Sequence, residues 1–153
     1  MVRGISIKRF RQNLKRLSHR KGFGIHSPYV YRLVREVFAK RICDARVDGE
    51  VVHNLSQMGL KRRYVIELAN FIYDSRNTSI VLCGGDRSIE HVDEVIEQNR
   101  EDGAIIIIID HASTLERELH FRAVVERHRS TSIDKKGYLI LFNNHLPKQH
   151  FLL

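Results

Sequence analysis

Two short clusters in this chain hold residue types that can do chemistry: Cys83, Gly84, Gly85 and Asp86 in one, Asp110 and His111 in the other. A carboxylate or an imidazole can align a nucleophile or take its proton. Paired glycines let the backbone come close to a ligand, because they present no side chain. Each cluster follows an unbroken apolar run, TSIVL before the first and AIIIII before the second. Unbroken runs, as opposed to alternating ones, are expected of strands covered by helices on both faces of a parallel sheet. In open sheets of that kind ligands bind beyond the carboxyl ends of the strands, where both clusters stand.

The elements that would position them follow from the pattern. From Thr78 onward the chain reads as two strand–helix units and then a hairpin of GYLILF and QHFLL. The helix after Gly85 should run from about Arg87 to Glu101, with Ile89, Val92, Val95 and Ile96 facing the sheet and Gly103 ending it. Ser113 and Glu116 have the spacing of a capping box for the next helix, which accounts for them without catalysis. Upstream, Ser27 and Pro28 open a helix whose Val30, Leu33, Val34, Val37 and Phe38 share one face. His26 beside that cap reads as a structural hydrogen-bonder. Residues 44–59 suggest a loop or a short helix, and 60–75 a helix with Val65, Leu68, Phe71 and Ile72 inward. Lys61, Arg62 and Arg63 at its start oppose the helix dipole, so they either form a tolerated surface cluster or meet an acidic partner or a phosphate.

A chain of 153 residues with 42% hydrophobic residues suits one core, which we place at 26–153. Residues 1–25 form a separate basic unit. Eight of the 26 Lys and Arg lie before Gly22 without a single acid, and the other 18 match the 18 acids, so the net charge of +8 belongs to this segment. Ile7, Phe10, Leu14 and Leu17 recur at helical spacing, giving an amphipathic helix whose Lys8, Arg9, Arg11, Lys15 and Arg16 form an anion-binding face toward nucleic acid or an anionic surface. The alternative, which the regular stripe favours, docks Phe10, Leu14 and Leu17 on the domain. No apolar run approaches the ~20 residues of a membrane span, which leads us to expect a cytoplasmic protein. Cys43 and Cys83 lie far apart and read as buried thiols, and the histidines have no zinc-binding spacing.

The two ends carry a resemblance. RKGFGIHSPYVYRLV is similar to the HGIHSPFVF opening of a bacterial family of class I S-adenosylmethionine-dependent methyltransferase-like proteins. TSIDKKGYLILFNNHLPKQHFLL resembles that family's ending, in which a SID segment enters a strand and a KQHF strand closes the domain. SIVLCGGDRS and AIIIIIDHAS resemble two of its strands, and Phe121 falls where the family tends to have Trp. About 95 residues are covered, Lys21 to Phe38 and Thr78 to Leu153.

The resemblance implies a reduced Rossmann-like methyltransferase sheet, with N-terminal helices and a C-terminal antiparallel hairpin. It also implies S-adenosylmethionine at Cys83, Gly84, Gly85 and Asp86, with Asp110 or His111 aligning a nucleophile. The family's Gly-rich turn and its ribose-binding acid, which precede these strands, have no counterpart here, and Cys83 stands where an Asp is expected. With ~30 residues per βαβ unit, the 76 residues from Thr78 do not build a seven-stranded sheet. The expectation is therefore a non-catalytic scaffold or binding module with no cofactor. The alternatives are an active methyltransferase with a shortened pocket and a nucleic-acid binder acting through the N-terminal helix. A short sheet with Tyr138–Phe142 and the final strand near one edge would expose apolar edge surface, which a homodimer would cover.

Overall fold

A computed structural model describes residues 25–101, 103–143 and 146–153. The basic residues Lys8, Arg9, Arg11, Lys15 and Arg16, and the helix assigned to them, lie outside the described residues.

The chain is an α/β domain with a mixed, open, five-stranded sheet of Rossmann-like character. Helix α1 (Pro28–Arg32) continues as a π-helical turn over Leu33–Phe38. Ser27 caps it, its hydroxyl accepting from Val30 N–H at 3.4 Å, and Pro28 takes the first turn, where no N–H is needed. Residues 44–59 resolve into a loop and helix α2 (Gly49–Gln57), capped by Asp48. Helix α3 (Arg62–Asp74) buries Val65, Leu68 and Phe71 as its periodicity requires, with Ile72 half-buried. Asn70 is buried in it, accepting from Asp44 N–H at 2.7 Å and donating to Ile42 O at 3.1 Å, which fastens the loop before α2.

Strand β1 (Ile80–Cys83) runs through helix α4 (Ile89–Gln98) to strand β2 (Ile105–Ile109), and the two strands pair in parallel. Helix α5 (Leu115–Arg127) leads to β3 (Ser132–Lys135), β4 (Tyr138–Phe142) and β5 (His150–Leu152). The order across the sheet is β1-β2-β4-β3-β5. All five isoleucines of β2 are buried, because both faces are covered. Ile105, Ile107 and Ile109 pack with Tyr138, Ile140 and Phe142 against the N-terminal helices. Ile106 and Ile108 pack with Leu139, Leu141, Phe121 and Val92 under α4 and α5. Each such side chain contributes ~1.5–3 kcal/mol when fully buried, so this strand pair anchors both layers.

Four expectations need correction. The C-terminal hairpin is not formed by GYLILF and QHFLL: β4 pairs antiparallel with β3, and β5 lies parallel to β3. Ser130 and Thr131 hydroxyls donate to Leu146 O and Pro147 O at 2.9 and 2.7 Å, which carries the return segment past β4 to the far side of β3. Consequently β4 is interior and wholly buried, and the sheet edges are β1 and β5. The cap of α5 is Thr114, accepting from Arg117 N–H at 3.2 Å, rather than the Ser113–Glu116 box. Finally, α4 ends at Gln98, and Gly103, with φ +67°, serves the turn into β2 instead of the helix end. Among the described residues no helix is long and apolar enough to cross a membrane.

Candidate functional site

Because β3 and β5 run parallel to β1 and β2, the carboxyl ends of all four, and the start of β4, share one end of the sheet. The candidates that follow the first two strands, Cys83, Gly84, Gly85, Asp86, Asp110 and His111, lie there. Cys83 closes β1 with 3% exposure, within the apolar layer under α4 and α5. Burial pushes its thiol pKa up, an effect that the Arg87 charge opposes, so the thiol stays protonated and unreactive at neutral pH.

Gly84, Gly85 and Asp86 form the turn into α4, whose cap Ser88 accepts from His91 N–H at 3.2 Å. Asp110 follows β2 with φ +51°, the left-handed region that Asp tolerates better than most residues. Its N–H donates to Gly137 O at 2.9 Å and its carbonyl accepts from Ser113 N–H at 3.1 Å. The side chain turns toward β1. A methyl group on Gly85 would stand 2.9 Å from Asp110 Cβ and 3.0 Å from its Oδ2. One on Gly84 would stand 2.5 Å from Asp86 Oδ1. The space that two glycines leave open is thus filled by two aspartates of the same chain.

Arg117 closes this corner, although nothing in its sequence spacing singles it out. It is 8% exposed, donates from Nη1 to Arg87 O at 2.8 Å and from Nε to Asp110 O at 3.3 Å, and lies 5.3 Å from the Phe121 ring centroid. Its fork therefore ties the loop after β1 to the loop after β2. Its Nη2 is buried with no hydrogen-bond partner.

His111 diverges from Asp110. It turns across the sheet toward β3, with Nε2 3.2 Å from Asp134 Oδ1, and is 5% exposed. It lines a cleft of about 260 Å³ with Phe121, Arg122, Asp134 and His150. A carboxylate on one ring nitrogen orients an imidazole as a base, yet Nδ1, the nitrogen that would act, is buried and has no partner. The two candidate catalytic residues thus belong to different corners, one toward β1 and one toward β3.

A third polar group sits at the same end of the sheet. Glu67 on α3 takes Lys135 Nζ at 2.9 Å and the Tyr138 hydroxyl at 3.0 Å on one oxygen, Oε2. Burial, reinforced by the Glu67 charge, raises the Tyr138 phenol well above its ordinary value, so it remains a donor. Lys135 also lies 4.7 Å from the Phe38 ring centroid. Glu67 could have been noticed as an acid between the buried positions Val65 and Leu68, but its partners are far away in sequence.

Two further histidines have local tasks. His120 Nε2 lies 2.8 Å from Asp93 Oδ1, joining α5 to α4, and His128 Nε2 donates to Phe142 O at 2.9 Å. Among the described residues no group of three or more His, Cys, Asp or Glu converges on a metal position. Comparison of the chain with protein-family models, with curated proteins and with solved structures finds no match.

Proposed function

We propose that this chain is a methyltransferase-like domain working as a non-catalytic binding module, without S-adenosylmethionine. The observation that carries the reading is the occupied crevice between the first two strand ends. Where a Rossmann-like sheet receives its ligand, Asp110 lies against Gly85 and Asp86 against Gly84. The residues present do not fit the cofactor, because a ligand approaching the glycines would meet these side chains first. The divergence of Asp110 from His111 supports the same reading, since methyl transfer depends on holding one nucleophile in line. The fold resemblance by itself carries no activity.

As a module, the domain would meet its partners at its edges. A second copy would add along β1 or β5, the strands with one unpaired side in the described sheet. An anionic partner would meet the basic segment before Gly22. The cofactor part of this proposal is tested by thermal unfolding of the whole chain with S-adenosylhomocysteine. A ligand at ~100 times its dissociation constant adds ~2.7 kcal/mol, so an unchanged melting temperature supports the module and a clear rise contradicts it.

A further inference from the structure

Two of the three cations that oppose the dipole of α3 have a place in the folded chain that the crevice between β1 and β2 does not use. Arg62 and Arg63 line a cleft of about 520 Å³ together with Lys40 and Arg41, which follow the π-helical turn, and Lys135 on β3. Among the described residues, five cationic side chains from three parts of the chain line it with one acidic side chain, Glu67. Glu67 is engaged by Lys135 and Tyr138. Lys40 leans on Asp44 at 3.5 Å, and Arg63 reaches the Tyr64 hydroxyl. Arg41 and Arg62 are exposed and have no acidic partner among the described residues.

The helix itself adds positive potential. Lys61 occupies the cap position of α3 without a capping hydrogen bond, and the first turn holds no acid. Helices favour the reverse, acids at the start and bases at the end, so Arg62 and Arg63 repel the dipole they sit on. An anion in the cleft would remove that repulsion. The other large cleft makes a useful contrast. It measures about 570 Å³, and its Arg100, Arg127 and Arg129 are matched by Asp93, Glu97 and Glu101.

We infer that the cleft between the end of the π-helical turn, the start of α3 and β3 binds a phosphorylated small molecule of about nucleotide size. Its volume falls within the ~300–1,000 Å³ of small-molecule sites and exceeds what a lone phosphate needs. Val34, Phe38 and Ile66 give it an apolar lining, and of its cations Lys40, Arg41, Arg62 and Arg63 are exposed while Lys135 is buried. Arginine forks suit phosphate oxygens. A nucleic-acid strand fits less well, because stacked bases need open aromatic faces and Phe38 is 7% exposed. The inference stands apart from the crevice at Gly85 and holds whether or not that crevice takes a cofactor.

Calorimetric titration of the whole chain at low salt tests it, with ADP, pyrophosphate and adenosine as probes. ADP should bind, pyrophosphate should bind more weakly, and adenosine should not bind measurably. Arg41→Ala and Arg62→Ala should each weaken ADP about tenfold, the loss of one charge-assisted contact, without lowering the melting temperature, because both side chains are exposed and Arg62 opposes the helix dipole. Arg100→Ala, in the balanced cleft, should leave binding intact. Absence of ADP binding at millimolar concentration would overturn the inference. So would ADP binding that survives the Arg41→Ala/Arg62→Ala double substitution, adenosine binding as well as ADP, or an RNA oligonucleotide displacing ADP at lower concentration.

Discussion

Gly85 and Asp110 are packed as a pair: the position a Gly85 side chain would occupy lies 2.9 Å from Asp110 Cβ, so the glycine makes room for the aspartate. This reverses the usual sense of a glycine after a strand in such sheets, where the room is left for a ligand. Asp110 is held there by its backbone, which bonds to Gly137 and Ser113 around a positive φ.

Gly85→Ala should therefore destabilise the fold by about 1–3 kcal/mol, the cost of overpacking. Asp110→Gly removes both the clash and the left-handed strain, so the double substitution should recover most of the loss. Denaturant unfolding of the two single variants and the double variant measures the coupling. Additive effects would mean that the two residues do not meet.

Arg117 holds the loops after β1 and β2 to each other through Arg87 O and Asp110 O. Arg117→Lys retains charge but cannot span both carbonyls, and should cost about 2 kcal/mol. Hydrogen exchange should quicken at 84–87 and 110–113 and stay unchanged in β4. Uniform quickening across the sheet would assign Arg117 a global role instead.

Glu67 receives two buried donors on one oxygen, which makes its loss asymmetric. Tyr138→Phe should cost about 1 kcal/mol, since the Lys135 pair survives. Glu67→Ala should cost about 3 kcal/mol, because it removes the carboxylate both groups rely on inside the fold. Equal costs in chemical unfolding would contradict this arrangement.

The pH dependence should carry the mark of His128. Burial lowers its pKa from 6.5, outweighing the Phe142 carbonyl that favours the charged form. With the folded value below the unfolded one, the unfolded chain takes up the proton first. The contribution to stability is full above the ordinary value and lost as pH falls through it toward the folded value. The melting temperature should drop as pH falls below the ordinary histidine value of 6.5, and His128→Gln, which keeps a donor without titrating, should flatten that drop. An identical profile in the variant would dismiss His128 as its source.

What the sequence made legible was the part governed by local pattern. Ile105–Ile109 and Tyr138–Phe142 could be read as strands because burial on both faces leaves unbroken apolar runs, and the half-buried edge strand Ile80–Cys83 is apolar throughout as well. The Ser27 cap and the position of Asp110 at a strand end followed from local rules of the same kind. β3 escaped notice because Ser132–Lys135 mixes Ser, Asp and Lys, whose burial comes from partners such as His111 and Glu67. Without β3 in view, the two final apolar runs look like partners of each other, although both pair with β3. The placement of α5's cap differed by one residue because Ser113 and Thr114 are both competent caps, and the backbone path after Asp110 selects Thr114. No spacing rule could show that Asp110 and His111, adjacent in sequence, would face different strands, since a single left-handed residue redirects the chain there.

The central claim, that the crevice beside β1 and β2 is filled from within, is tested most directly by amide NMR of the whole chain titrated with S-adenosylmethionine. The account predicts that the resonances of Gly84, Gly85 and Asp110 stay in place to millimolar ligand. Saturable shifts of these three amides at micromolar ligand would contradict it, because Asp110 would then have to give way to the cofactor.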